Sequence, residues 1–208
     1  EIGHKKEYQP SYASGGGVIQ IEVTDGGAGY ENTPSVDIDA NVTSGSGATA
    51  DASVTGGEVV AIYITNPGTG YQSGAVGTNI QIDAPSKKGM TAVSVSTKGS
   101  GFSDDKPLKY EYTGANGEDG EVSAEVKNNG KLDNATIVRP GIKYQKNEKW
   151  KVTQEGNDAE GEINIDDAKS NKATAEIKFV GSNDPQVTPD TYGTDALEDK
   201  SSTSATFV

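Results

Sequence analysis

The chain has 208 residues, including 27 glycines, 3 phenylalanines and 1 tryptophan, enough for one ordinary domain or two small ones but poor in large core side chains. A net charge of −13 with a single arginine, Arg139, argues against a nucleic-acid surface, because each phosphate contact depends on lysine or arginine displacing counterions. The chain has no cysteine, which excludes disulfides, thiolate catalysis and cysteine metal sites.

Residues 1–14 read as a polar N-terminal arm carrying His4, the only histidine. The charged start EIGHKKEY has no h-region, and the longest apolar run, residues 59–64, is far short of the roughly 20 residues that cross a bilayer. The expectation is a soluble protein with no membrane partner.

From residue 15 onward a repeat is visible. Residues 18–23 precede Tyr30, residues 59–64 precede Tyr71, residues 90–95 precede Phe102 and residues 132–137 precede Tyr144, each aromatic lying twelve positions after its first apolar anchor. Ile21 and Val23, Ile62 and Ile64, Val93 and Val95, and Ala135 and Ile137 occupy matching positions two apart. Period two with β-branched side chains predicts a strand in each copy. Gly27, Gly29, Gly68, Gly70, Gly99 and Gly101 lie where each strand ends, and the expectation is a positive-φ corner that folds the aromatic back over the strand. The fourth copy, Gly141-Ile142-Lys143-Tyr144, lacks the second glycine, so its corner is expected to differ in detail.

Short second strands are predicted after each aromatic, at residues 34–38, 78–82, 107–112 and 148–152. Residues 47–54 and 120–126 supply third strands, which run through TGGE and KNNGK into the next copy as β-hairpins. Tyr30 and Phe102 are 72 residues apart, and Tyr71 and Tyr144 are 73 apart. This predicts two paired units, at residues 15–87 and 88–180. The second is longer by the acidic stretch at residues 156–172, after which residues 173–180 give a last strand. The tail, residues 181–208, lacks sustained periodicity and reads as flexible or as an arm ordered by a neighbour. The fold class expected is all-β, with tandem antiparallel repeat units built as small sandwiches or a sheet-lined rod. Such lean units are expected to be ordered partly by neighbours in a multi-copy or homo-oligomeric assembly.

Candidates for chemistry are few. Residues 45–50, GSGATA, match a loose dinucleotide fingerprint, but a strand-like alternation follows where that motif needs a helix. Asp37 and Asp39 lie two apart on a predicted strand, and Asp158, Glu160, Glu162, Asp166 and Asp167 form a second cluster. Both are weighed as calcium ligands, although neither matches a complete calcium loop, against solvated acidic faces that keep strand edges from mispairing. One histidine and no cysteine leave almost nothing for a nucleophilic triad. A carboxylate-pair hydrolase is a remote alternative. Trp150 is read as core in preference to sugar stacking. No catalytic, cofactor or metal residue is assigned.

The segment GGVIQIEVTDGGAGYENTPSVDI…GSGATADASVTGGEVVAIYITNPGTGY, residues 16–71, resembles the glycine-rich GxGY β-repeats of structural proteins in contractile-tailed bacteriophages and cyanophages, repeats also similar to modules of bacterial surface proteins. The resemblance implies a non-enzymatic, virion-located accessory component of capsid, baseplate, tail or fibre, with other virion proteins as partners. The alternative expected is a cell-surface adhesion module that engages glycan, with or without calcium.

Overall fold

The computed structural model describes residues 16–156 and 158–181. The predicted arm with His4, and the predicted tail after residue 181, lie outside the described residues. The protein is all-β, with strands β1 (Val18–Asp25), β2 (Val36–Asp37), β3 (Ser46–Thr55), β4 (Glu58–Thr69), β5 (Gln81–Ile82), β6 (Gly89–Thr97), β7 (Leu108–Tyr112), β8 (Glu121–Lys127), β9 (Lys131–Arg139), β10 (Lys149–Gln154), β11 (Glu160–Lys169) and β12 (Thr174–Val180). Two 3-10 turns, Asp39–Asn41 and Ser73–Ala75, complete it. No helix among the described residues is long and apolar enough to cross a membrane.

β1, β4, β6 and β9 are the four strands the repeat predicts. In β4 the alternation puts Ile62 and Ile64 in the core and leaves Tyr63 exposed between them, as period two requires. Each strand runs into a corner whose aromatic turns inward, and Tyr30, Tyr71, Phe102 and Tyr144 are all buried. The corners share one backbone shape. Gly68 and Gly70 hold φ of 63° and 77°, and Gly141 and Lys143 hold 62° and 64°. The expectation that the fourth corner would differ is therefore corrected, because Lys143 adopts the left-handed conformation that glycine adopts elsewhere.

β3 and β4 form a hairpin through Gly56-Gly57, both with positive φ, the backbone that matches strand twist in a two-residue turn. β8 and β9 form another through residues 128–130. Register shifts in the two hairpins skip Thr65 and Val138 at corresponding places of the ladder. Such bulges re-aim side chains, which accounts for the exposure of Val138.

The larger sheet has the strand order β6-β11-β10-β7, all antiparallel. β11 is a correction to the sequence reading, which took residues 156–172 for an acidic insertion. Gly161, Ile163 and Ile165 alternate into the core while Glu160, Glu162 and Asn164 point away. In the other half β1 pairs with β12 and β2 with β5. Between those pairs Gly77 N–H donates to Ile177 C=O (2.7 Å), Ile177 N–H to Thr78 C=O (3.2 Å) and Ile80 N–H to Ala175 C=O (3.0 Å). The first half thus has the order β1, β12, residues 77–82, β2, with β12 standing where β11 stands in the second.

β12 is consequently not the last strand of the second unit. Ala173, Ala175 and Ile177 pack with Val18, Ile21, Tyr30, Ile62 and Tyr71, whereas Ile163 and Ile165 pack with Met90, Leu132, Tyr144 and Trp150. The boundary drawn at 88–180 moves accordingly. Residues up to 87 and from about 171 build the first core, and the intervening segment builds the second, nested inside it. At the crossing, Ala28 and Asn171 exchange backbone bonds (2.9 and 3.0 Å) and Lys87 N–H donates to Gly29 C=O (3.1 Å).

Several backbone bonds recur 72 or 73 residues along the chain. Tyr71 N–H donates to Gly16 C=O and Tyr144 N–H to Lys88 C=O. Tyr30 N–H donates to Gly57 C=O and Phe102 N–H to Gly130 C=O.

Candidate functional site

Asp37 and Asp39 do not emerge together from a strand. β2 ends at Asp37, and Asp39 opens the 3-10 turn. The Asp37 Oδ1 atom accepts the amides of Asp39 (3.0 Å) and Ala40 (3.1 Å), a short acidic side chain capping the turn that follows it. Asp39 Oδ2 accepts the Gly47 amide (2.9 Å), and its Oδ1 accepts the Tyr71 hydroxyl. That hydroxyl in turn accepts the Ala48 amide (3.1 Å). Residues 45–50 hence enter strand β3, not a helix, and the amides of Gly47 and Ala48 are occupied by Asp39 and Tyr71. The dinucleotide motif has no phosphate cradle here.

Burial pushes the Tyr71 hydroxyl up to about 12, with the hydrogen bond to Asp39 adding to the effect. The phenol stays neutral and acts as donor and acceptor at once, fastening the corner to the start of β3. A related arrangement occurs in the second core. Tyr112 donates to Glu148 Oε2 (2.5 Å) and accepts from the Gly117 amide (3.2 Å). Burial and then the bond to Glu148 raise its pKa above the ordinary tyrosine range. Glu148 also accepts the Gln145 amide (2.8 Å).

Four of the five acids of the second cluster lie along β11, and three of them pair with lysines. Glu160 meets Lys151 (2.7 Å), Glu162 meets Lys149 (2.8 Å) and Thr97 (3.0 Å), and Asp167 meets Lys169 (2.5 Å). Asp166 accepts from Asn164 Nδ2 (2.7 Å), and Asp158 lies outside the strand. The ammonium of Lys149 holds the Glu162 carboxyl below its usual range, and that of Lys169 does the same for Asp167. Among the described residues, no three His, Cys, Asp or Glu side chains converge as a metal site.

Trp150 lies in the core, 7 % exposed. Its ring centroid is 5.4 Å from that of Tyr112 and 6.2 Å from that of Tyr144, and the two tyrosines meet edge to face at 5.0 Å, the offset geometry aromatic quadrupoles favour. Sequence reasoning missed Gln154, which is 4 % exposed. Its Oε1 accepts the Ser103 amide (2.8 Å), and its Nε2 donates to the carbonyls of Ser103 (2.6 Å) and Lys106 (2.8 Å), clamping the loop before β7. A polar residue closing a run of inward β10 positions was its only signal.

A surface depression of about 210 Å³ lies between residues 30–35 and 83–86. Tyr30 spans its base, donating to Asp83 C=O (2.9 Å) and accepting the Ala173 amide (2.9 Å). Among these groups, Asp37, Asp39, Tyr71, Tyr112 and Glu148 bind backbone amides or one another, and Glu160, Glu162 and Asp167 pair with lysines. Comparison with protein-family models, with curated proteins and with solved structures gives no match.

Proposed function

We propose that the chain is a non-catalytic structural protein of a tailed-bacteriophage particle, an accessory component of the capsid or tail acting by multivalent assembly. The observation that carries this reading is the commitment of the acidic side chains described above to architecture. Asp39 holds the Tyr71 corner in place, Glu148 holds Tyr112 at the end of β7, and Glu160 and Glu162 of β11 pair with lysines of the adjoining β10. Many copies on a symmetric surface convert weak contacts into avidity without a chemical step. A net charge of −13 keeps free subunits apart before assembly. The GxGY resemblance supplies the particle context.

The test is mass spectrometry and antibody labelling of purified tailed-phage particles whose genome encodes the chain. Stoichiometric recovery with labelling at one repeated position is the expected result, and absence from washed particles overturns the reading. Calcium-dependent glycan binding by the isolated chain would replace it with an adhesion module.

A further inference from the structure

The two halves of the chain meet through a specific contact. Gly141 N–H donates to Gly56 C=O (2.7 Å). A Cβ on Gly57 would lie 2.1 Å from the Gly141 carbonyl oxygen, and one on Gly56 would lie 2.6 Å from Arg139 Cδ. The turn of the first hairpin is thus seated against the corner Pro140-Gly141 of the second half. Pro140, Gly141 and Ile142 are buried.

Both surfaces of that contact have counterparts elsewhere in the molecule. The corner Pro67-Gly68-Thr69-Gly70-Tyr71 corresponds to Pro140-Gly141-Ile142-Lys143-Tyr144 in sequence and in its positive φ values. There, however, Pro67 and Gly68 are half-buried and Thr69 and Gly70 exposed. The Gly68 amide, whose counterpart Gly141 donates across the contact, is satisfied locally by the side chain of the exposed Asn66 (2.9 Å). For the other surface, the turn at residues 128–130 corresponds to Gly56-Gly57. Gly57 and Gly130 do the same work at its base, since their carbonyls receive the corner aromatic's amide at 3.0 and 3.1 Å. Gly57 is buried, whereas Asn128 and Asn129 are exposed and Gly130 half-buried. The second turn is one residue longer, which lets its tip project.

We propose that the contact recurs between copies: the 128–130 turn of one chain docks on the 67–70 corner of the next, producing head-to-tail assembly. The two surfaces are different, so the interface is heterologous and propagates into a ring or a filament. The amide of Gly68 exchanges its Asn66 side-chain acceptor for a carbonyl of the incoming turn, as Gly141 uses Gly56. The charges tolerate this, because Glu58 beside Arg139 in the internal contact is replaced by Lys131 beside the neutral Asn66. Repulsion between chains of net charge −13 opposes the contact at low ionic strength and is screened by salt. The proposal names the partner for the assembly part of the reading above and is independent of its virion part, since it concerns the isolated chain.

The full chain has no cysteine, so introduced thiols report proximity directly. The variants Thr69→Cys and Asn129→Cys, at exposed positions, are mixed at near-physiological salt and oxidised. The expected result is a heterodimer forming about tenfold faster than from a mixture of Tyr63→Cys and Glu155→Cys, by the effective-concentration advantage of a docked pair. The double variant Thr69→Cys/Asn129→Cys gives a ladder of multimers. Rates equal to the control pair, or dimers only between like variants, overturn the proposal. Sedimentation velocity of the wild-type chain is the second readout, with mass rising with concentration and with salt expected and a fixed monomer mass overturning it. Unfolding midpoints of the single variants equal to wild type establish that folding is intact. A failed ladder with successful particle labelling refutes this interface and leaves the virion reading standing.

Discussion

Lys143 holds the same left-handed backbone conformation as Gly70, φ 64° against 77°, at the matching corner of another repeat. Its ammonium lies 2.8 Å from Glu118 and 3.5 Å from Glu31. Left-handed backbone costs a residue with a Cβ about 1–2 kcal/mol, and a solvent-screened ion pair offsets only part of that. Lys143→Gly relieves the strain while loosening the unfolded chain by a similar amount. Its urea midpoint is expected to stay within about 0.5 kcal/mol equivalent of wild type.

Two other corner substitutions separate strain from collision. At Gly101 (φ 83°) an added Cβ meets only Ala159 Cβ, at 4.0 Å, whereas at Gly29 (φ 97°) it meets the Lys87 carbonyl oxygen at 2.0 Å. Gly101→Ala should cost about 1 kcal/mol from conformation alone. Gly29→Ala should cost well beyond about 2 kcal/mol, because backbone must move. Equal losses in paired denaturation curves would refute this account of the corners.

Tyr71→Phe removes the acceptor of the Ala48 amide and the donor to Asp39 together. An unpaired buried amide costs about 1–3 kcal/mol, and that loss is expected in guanidinium unfolding with the slope unchanged. Asp39→Asn, which retains an acceptor for the Gly47 amide, should cost less.

Alkaline stability follows from the same groups. Burial pushes Tyr71 and Tyr144 up to about 12 from an ordinary value of 10.0. Folded values above unfolded ones mean that the contribution is complete below about pH 10 and is lost as pH rises through about 12. The part of the tyrosinate absorbance that Tyr71→Phe or Tyr144→Phe removes should rise in that interval, together with the loss of circular dichroism. Ionisation of all tyrosines near pH 10 with the sheet intact would contradict it.

For β11 the core face outweighs the acidic face. Ile163, which is fully buried, should lose about 2–5 kcal/mol on replacement by alanine. Glu160→Gln, breaking an exposed pair with Lys151, should lose no more than about 1 kcal/mol. Thermal unfolding of the two variants checks the ranking.

The repeat was legible because a strand with one buried face writes its period into the sequence. Ile62 and Ile64, and the glycines ahead of Tyr71, needed no tertiary information. β11 was passed over although Ile163 and Ile165 alternate, because the five acids around them made the stretch read as an acidic insertion. The place of β12 could not be read locally, since Ile177 and its partner Ile21 are separated by an entire second core. The lysine at position 143 misled for a related reason. A strained φ is decided by the fold around a residue, and Lys143 has Glu118 and Glu31 to hold it there. The partners of Asp39 and Glu148 are likewise distant in sequence, and no spacing rule reaches them.

The nesting of one core within the other also has a mechanical consequence. Gly181 N–H donates to Gly17 C=O (2.7 Å), so both flanking segments leave from the same end of the β1–β12 ladder. Tension that spreads those flanks peels this ladder one rung at a time, the weakest direction in which to pull a β-pair. The inner core feels no force until the outer one has opened, making the first half a yielding clasp and the second a sheltered reserve.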